Sequence, residues 1–182
     1  MAEIVLGVTG SIAAYKAAEL TRMLIKAGID VNVVMTRAAT KFVTPLTFQT
    51  LSQRPVAVGL FAPIQDWEPH HISLARRADV LVIAPCTANT IAKLAQGIAD
   101  NELTATALAC RAPLVIAPAM NDAMFEHPAT QANLATLKAR GASVVDPSTG
   151  ELACGSEGKG RLAPLDAIFA AISVALGKKW KK

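Results

Sequence analysis

Residues 3–35 read EIVLGVTGSIAAYKAAELTRMLIKAGIDVNVVM, and the order of apolar and small residues in this stretch decides the fold. Its first part, 3–8, is a short β-rich run that ends in TGS, and the next segment has the apolar spacing of a helix closed by Gly28. A second aliphatic run follows at 31–35. The stretch therefore predicts a strand, helix and strand joined by a right-handed crossover, and hence a parallel sheet.

The same pattern recurs along the chain. Further aliphatic strands are predicted at 79–85, 112–120 and 143–146. Helical segments are predicted at 87–100 and 121–141, with a last helix from about Pro164 to Leu176. Strands without polar alternation belong to a sheet that is covered on both faces. We therefore expect an α/β fold with a doubly wound, mostly parallel sheet in a single domain.

Two stretches fall outside this pattern. One is a proline-interrupted region at 44–67, and the other is a glycine-rich segment at 148–162, STGELACGSEGKGRL, which we predict to be a loop. In doubly wound folds, ligands bind beyond the carboxyl ends of the strands, near the point where the winding reverses. The residues that follow the strands are therefore the candidates for chemistry.

Composition excludes several classes of protein. The chain has 182 residues, of which 52% are hydrophobic, but no apolar run reaches the roughly 18 residues that span a bilayer. Glu3 stands where a signal peptide would carry positive charge, so we expect a soluble cytoplasmic protein. With only 4% aromatic residues, this much aliphatic surface also predicts interfaces between subunits.

The net charge of +4 does not indicate nucleic-acid binding. Four of the charges belong to the C-terminal lysines Lys178, Lys179, Lys181 and Lys182. We interpret 178–182 as a basic tail that is disordered, with a neutral body and no membrane or nucleic-acid partner. The cysteines are odd in number and form no CxxC pair, which argues against a disulfide framework and a structural zinc site.

The strand-to-helix turn after residue 8 offers a candidate phosphate site. Gly10 and Ser11 lie where free backbone N–H groups and a helix dipole favour an anion, and Thr36 adds a hydroxyl after the next strand. The spacing fits neither a dinucleotide fingerprint nor a P-loop. A tight turn with Ser11 as the helix N-cap is the structural alternative.

Four other side chains carry possible chemistry. His70 and His71 precede a short predicted helix, where an imidazole serves either proton transfer or capping. Asn121 follows a strand and either caps the next helix or binds a carboxylate. Cys154 in the glycine-rich segment is either a proton donor on a mobile cover or an idle thiol. Cys86 and Cys110 lie in apolar surroundings and are interpreted as packing residues.

Together these segments resemble one known family. The resemblance is carried, in order, by GVTGSIAAYK (7–16), MT (35–36), PLTFQ (45–49), HISLA (71–75), APCTANTIAKLAQGIADN (84–101), PAMN (118–121) and ACGSEGKGRL (153–162). The chain is similar to the homo-oligomeric flavin-containing cysteine decarboxylases through nearly its whole length. The resemblance implies a Rossmann-like, flavodoxin-like subunit that binds FMN at a trimer interface, with 1–177 as the flavin-binding decarboxylase domain.

The resemblance also implies a reaction and its residues. The reaction is decarboxylation of 4′-phosphopantothenoylcysteine to 4′-phosphopantetheine, with a separate phosphopantothenate–cysteine ligase as the source of substrate. The histidine of HISLA, His71 rather than His70, would be catalytic, Asn121 would hold the substrate carboxylate, and Cys154 would donate a proton from a flap. The flavin would contact Gly10, Ser11, Thr36, Thr47, Thr87, Ala88 and Asn89. Further substrate contacts are expected from Met120, Ala153 and Gly155.

Three alternatives remain at this point. A peptidyl-cysteine decarboxylase of the lantibiotic type would share the histidine and the PAMN element, but the ACGSEGKGRL flap favours the coenzyme A precursor. A flavin prenyltransferase would have a similar fold, and both PAMN and the flap argue against it. A flavin-binding regulatory subunit would be favoured if His71 or Cys154 were missing, and both are present. Cys86 departs from the small residue usual in this family, which leaves the individual flavin contacts open.

Overall fold

The computed structural model describes residues 2–61, 68–151, 155 and 157–177. Five strands form the main sheet: β1 (Glu3–Val8), β2 (Asp30–Met35), β3 (Val80–Cys86), β4 (Leu114–Pro118) and β5 (Ser143–Val144). All adjacent pairs in this sheet are parallel, in the order β2-β1-β3-β4-β5. The doubly wound, flavodoxin-like sheet is confirmed, and its winding reverses between β1 and β3.

Eight α-helices accompany the strands in the described part of the chain. They are α1 (Ala14–Lys26), α2 (Pro45–Ser52), α3 (His70–Arg77), α4 (Ala88–Gln96), α5 (Glu102–Ala109), α6 (Asp122–Glu126), α7 (Pro128–Ala139) and α8 (Leu165–Ala175). None of these helices is long and apolar enough to cross a membrane.

The aliphatic runs are explained by two apolar layers. Alternate side chains of β1 enter opposite layers: Ile4 and Leu6 pack with α1 and α8 on one face, and Val5 packs with α4 and α5 on the other. Because both faces are covered, every position of β1 and β4 after the first is buried, and these strands show no polar alternation. Cys86 lies fully buried in the second layer, which confirms its predicted packing role.

The glycine-rich segment differs from the prediction. It is not simply a loop but contains an antiparallel hairpin of β6 (Ser148–Glu151) and β7 (Glu157–Arg161). Glycine lowers strand propensity, which is why the sequence suggests a loop. Here Gly158 and Gly160 are required because a Cβ at either position would come within 3 Å of the segment that follows β4. The absence of side chains lets the hairpin lie directly against that segment.

One region without a predicted element contains a helix, and one helix prediction is corrected. The proline-interrupted region contains α2, because Pro45 occupies its first turn, where the missing N–H costs the helix nothing. The single helix expected over 121–141 is two helices, α6 and α7, separated at His127. The residue before a proline avoids the helical conformation, so Pro128 ends one helix and begins the next. The basic tail, 178–182, lies outside the described residues.

Candidate active site

The two turns at the switch point are joined by one buried hydroxyl. Thr9, which is 0% exposed, donates from its Oγ1 to the carbonyl oxygen of Pro85 over 2.7 Å. Thr9 Oγ1 in turn accepts a hydrogen bond from the backbone N–H of Thr87 over 3.1 Å. Thr9 therefore fixes the turn after β1 against the turn after β3. The sequence analysis gave Thr9 no role, although it lies directly before Gly10 in the predicted turn.

Both turns present hydrogen-bonding groups. Ser11 Oγ accepts from the backbone N–H of Ala13, which is the N-cap of α1. The alternative that Ser11 is itself the N-cap is therefore wrong, and its hydroxyl instead braces the turn. Thr87 is the N-cap of α4 and accepts from Thr90 N–H. The first turn of α4 has backbone N–H groups that the helix itself does not use, and an anion there is favoured.

A cavity of about 710 Å³ opens between these turns. Its volume lies within the range of small-molecule sites, about 300–1,000 Å³. Six of the predicted flavin contacts line it: Gly10, Ser11, Thr36, Thr87, Ala88 and Asn89. Polar groups are concentrated at these strand ends, while Val58, Leu60 and Met124 supply apolar surface. This division suits a ligand with a phosphate at one end and a flat apolar ring system at the other.

The close contact between Gly10 and Ala38 tests whether the cavity suits a phosphate. A Cβ at Gly10 would lie 2.5 Å from the Cβ of Ala38, so only glycine allows the turn to pack against the segment after β2. Thr36 Oγ1 fixes that segment by accepting from Ala39 N–H over 3.2 Å. The candidate phosphate site therefore depends on small residues at Gly10 and Ala38, because backbone N–H groups can surround a phosphate only where side chains leave room.

The sequence analysis missed one polar wall of this cavity. Asp100 and Asn101, between α4 and α5, also line it. Lys93 Nζ lies 2.6 Å from Asp100 Oδ2, and this hydrogen bond is the main cause that lowers the pKa of Asp100. Asn101 caps α5 by accepting from Thr104 N–H. Both residues were within a quoted motif, but nothing in their spacing identified them as lining residues.

A second cavity, of about 640 Å³, adjoins the first. Three predicted substrate contacts line it, namely Met120, Asn121 and Gly155. Ser11, Ala119 and Met120 line both cavities, so the two spaces meet there. A ligand in one cavity can therefore reach a ligand in the other at the carboxyl end of the sheet.

The hairpin forms one wall of the second cavity. Met120 N–H donates to the carbonyl oxygen of Gly160 over 2.9 Å. Asn121 Oδ1 accepts from Ala123 N–H over 3.0 Å, so the capping interpretation of Asn121 is confirmed. Capping fixes the direction of the Asn121 side chain at the mouth of the cavity.

Other predicted site residues lie elsewhere. Thr47 is exposed on α2 and lines neither cavity. His70 and His71 are the first two residues of α3 rather than preceding it, and His71 is half-buried and also lines neither cavity. His70 Nδ1 lies 3.4 Å from the buried carboxylate of Glu102 at the start of α5. Ala153 and Cys154 fall outside the described residues.

The environments of Cys86 and Cys110 do not favour a reactive thiolate. Burial raises the pKa of the Cys86 thiol far above its usual value, and it also raises that of the half-buried Cys110. Both thiols therefore stay protonated near neutral pH and are poor nucleophiles.

The fold and the paired cavities define an α/β protein with room for a phosphate-bearing cofactor beside a second small ligand. A family model described as Flavoprotein matches residues 1–177, and the chain belongs to that family. This match confirms the resemblance found in the sequence and the prediction of a flavin cofactor.

Similar proteins share most of the chain. A "Probable phosphopantothenoylcysteine decarboxylase" of Streptococcus mutans is 48% identical over 176 residues, which cover 96% of this chain and 98% of that protein. The "Coenzyme A biosynthesis bifunctional protein CoaBC" of Vibrio cholerae is 47% identical and covers 97% of this chain. The chain spans 46% of the length of that relative, and thus less than half of it.

Solved structures agree with the fold. A PPC decarboxylase mutant complexed with pantothenoylaminoethenethiol has a TM-score of 0.84 at 32% identity, covering 95% of this chain and 97% of that one. The FMN-dependent cysteine decarboxylase SpaF also has a TM-score of 0.84, at 35% identity, covering 97% of this chain and 95% of its own.

Proposed function

We propose that the chain catalyses the FMN-dependent decarboxylation of 4′-phosphopantothenoylcysteine to 4′-phosphopantetheine. The observation that carries this proposal is the meeting of the two cavities at Ser11, Ala119 and Met120. It would bring a cofactor in one cavity to the reacting end of a substrate in the other. The full-length relative named as a phosphopantothenoylcysteine decarboxylase and the ligand-bound PPC decarboxylase structure support the substrate class.

The first cavity would hold FMN. The backbone of Gly10 and the hydroxyls of Ser11 and Thr36 would bind its phosphate, and the first turn of α4 would line the ring system. When bound, the flavin supplies the electron sink that the substrate lacks after loss of CO₂. Thr9 would act indirectly, because it holds the two turns at a fixed separation.

The second cavity would orient the cysteine end of the substrate. The Asn121 side chain, fixed by its cap to α6, would hold the carboxylate at the junction of the cavities. His71 would act as a base or as a second carboxylate partner, and Cys154 would donate a proton to the product carbon. A neutral thiol can deliver a proton and can be reprotonated from water once the product leaves.

We further propose a homo-oligomer built from trimers in the cytoplasm. His71 and Thr47 line neither cavity of their own chain, which fits a flavin site completed by a neighbouring subunit. Exposed apolar side chains such as Tyr15 and Leu46, 60% and 68% exposed, offer surface for such contacts. Cys86 and Cys110 are free thiols, which suits a reducing compartment, where a phosphopantothenate–cysteine ligase would supply the substrate.

The test supplies flavin-loaded protein with 4′-phosphopantothenoylcysteine and, separately, with a cysteine-ended peptide, and follows CO₂ loss by mass spectrometry. Loss from the first compound alone supports the proposal. Loss from the peptide alone would instead assign a peptidyl-cysteine decarboxylase, and loss from neither would favour a prenyltransferase or a regulatory flavoprotein.

Sedimentation of the same sample should give three times the chain mass or a multiple of it, and an active monomer would contradict the trimer.

Two variants test the residue roles. His71→Asn should abolish turnover with flavin still bound, whereas loss of flavin absorbance would make His71 structural. Cys154→Ser should release CO₂ but accumulate an oxidised, unsaturated product. Cys110→Ser is the matched control, because Cys110 lines neither the flavin nor the substrate cavity. Full activity in Cys154→Ser would remove this residue from the mechanism.

A further inference from the structure

Glu102 is a buried acidic side chain to which the proposed reaction gives no role. It is 2% exposed at the first position of α5, and its Oε1 has no hydrogen-bond partner among the described residues. Burying a carboxylate without a partner is costly, and the dipole of α5 compensates only part of that cost. His70 Nδ1 lies 3.4 Å from this oxygen, within ion-pair distance. The imidazole of His70 is therefore the group that compensates the buried carboxylate.

The first turn of α3 depends on a contact outside the helix. α3 has only eight residues, and none of the described side chains caps its start at Pro69. Its buried residues, Leu74 and Ala75, lie in the second turn. Short helices are marginally stable without tertiary contacts. The contact between His70 and Glu102 therefore holds the first turn of α3 against the first turn of α5.

The same contact joins two parts of the proposed active site. His71, the proposed base or carboxylate partner, directly follows His70 in the first turn of α3. Asn101, which lines the first cavity and caps α5, directly precedes Glu102. A shift of the first turn of α3 would therefore move His71 relative to the sheet and its cavities. A displacement of about 1 Å in a reacting group is enough to slow catalysis strongly.

We propose that His70 and Glu102 are positioning residues that fix the first turn of α3 and thereby the direction of the His71 side chain. Both residues line neither cavity, so they act through His71 and not on the ligands. A carboxylate that faces one ring nitrogen of a histidine fixes the orientation of the ring. This inference rests on the proposed function and adds the residues that orient one of its groups.

The experiment compares His70→Leu, Glu102→Leu, the double variant and Glu102→Gln as flavin-loaded proteins. Steady-state kinetics with 4′-phosphopantothenoylcysteine measure kcat and KM, and absorbance measures the flavin content. Hydrogen-exchange mass spectrometry follows the N–H of Ile72, which donates to the Pro69 carbonyl in the first turn of α3. Asp166→Leu is the matched control, because Asp166 is an exposed carboxylate in the first turn of another helix, α8.

We expect each single leucine variant to lose about tenfold in kcat, with KM and flavin content unchanged, and to exchange the Ile72 N–H about tenfold faster. His70→Leu leaves the carboxylate without its partner, and Glu102→Leu leaves the imidazole without the group that orients it. The double variant should recover most of both losses, because apolar residues can replace a buried ion pair without loss of stability. Glu102→Gln should keep part of the kcat, since its amide oxygen can still accept from the imidazole. Asp166→Leu should behave as the wild type.

Two results would overturn the inference. Unchanged kcat in both single variants, even with faster exchange, would mean that the pair stabilises α3 without positioning His71. Recovery of slow exchange but not of kcat in the double variant would mean that His70 takes part in the chemistry itself. If a single leucine variant fails to fold, Glu102→Gln and the double variant provide the same comparison.

Failure of the inference can be told apart from failure of the proposed function. If the wild type decarboxylates the substrate and the variants keep its kcat, only the role of the pair is wrong. If the wild type does not decarboxylate it, the proposed function is wrong and the positioning role falls with it, while the exchange of the Ile72 N–H still measures whether the pair anchors α3.

Discussion

Replacing Thr9 by valine should destabilise the protein and weaken its hold on flavin. Valine has nearly the shape of threonine, so the change removes the hydroxyl without opening a cavity. It leaves the Pro85 carbonyl without its 2.7 Å donor and the Thr87 N–H without its 3.1 Å acceptor. An unpaired buried polar group costs about 1–3 kcal/mol. Because Thr87 is half-buried and can regain water, we expect a total loss of about 3 kcal/mol in the free energy of unfolding.

Urea unfolding of flavin-free protein measures this loss, and flavin fluorescence during dilution measures cofactor release. Thr21→Val is the matched control, since Thr21 is equally buried but donates only to the Ala17 carbonyl within α1. That carbonyl keeps its helical partner, so the control should lose no more than about 1 kcal/mol and keep its flavin affinity. Thr9→Ser should restore most of the stability. Equal losses for Thr9→Val and Thr21→Val would refute the bridging role.

Three further results are expected. Gly10→Ala should weaken flavin binding, because the added Cβ would lie 2.5 Å from that of Ala38, and pairing it with Ala38→Gly should restore binding in a flavin titration. Gly160→Ala should raise KM with flavin content unchanged, because its Cβ would collide with the segment after β4; an unchanged KM would argue against close docking of the hairpin. The Asp100 pKa is lowered by Lys93, so the pair stabilises the fold above about pH 4 and loses this effect as pH falls further. In Lys93→Met, NMR titration should show the Asp100 pKa returning towards its usual value, and no change would exclude the hydrogen bond as its cause.

Much of the site could be predicted from the sequence, because its residues lie directly after predicted strands. Gly10, Ser11 and Thr36 follow aliphatic strands, and the carboxyl ends of parallel strands meet at one edge of the sheet. Their convergence around one cavity therefore needed only the fold class. Asn121 was placed by the same rule, and its cap of α6 follows from its position before a helix.

Other parts of the site depend on contacts between distant segments. Asp100 and Asn101 line the first cavity because the turn between α4 and α5 lies beside it. The hairpin was hidden by its glycines, whose low strand propensity is outweighed by pairing and by docking against the segment after β4. Lys16 and Arg161 line the same cavity, and no local signal in the sequence indicated this.

The sequence by itself determined the parallel sheet and the succession of its strands along the chain, because burial on both faces requires a continuous aliphatic run in each strand. The flavoprotein family was identified from the resemblance of its motifs. Only the tertiary structure decided how the strand ends are held together. Thr9 and Pro85 are separated by 76 positions, and their hydrogen bond exists because β1 and β3 are neighbours in the sheet. A single hydroxyl produces no periodic pattern in the sequence, so the hydrogen-bond partner of Thr9 can be identified only from the folded structure.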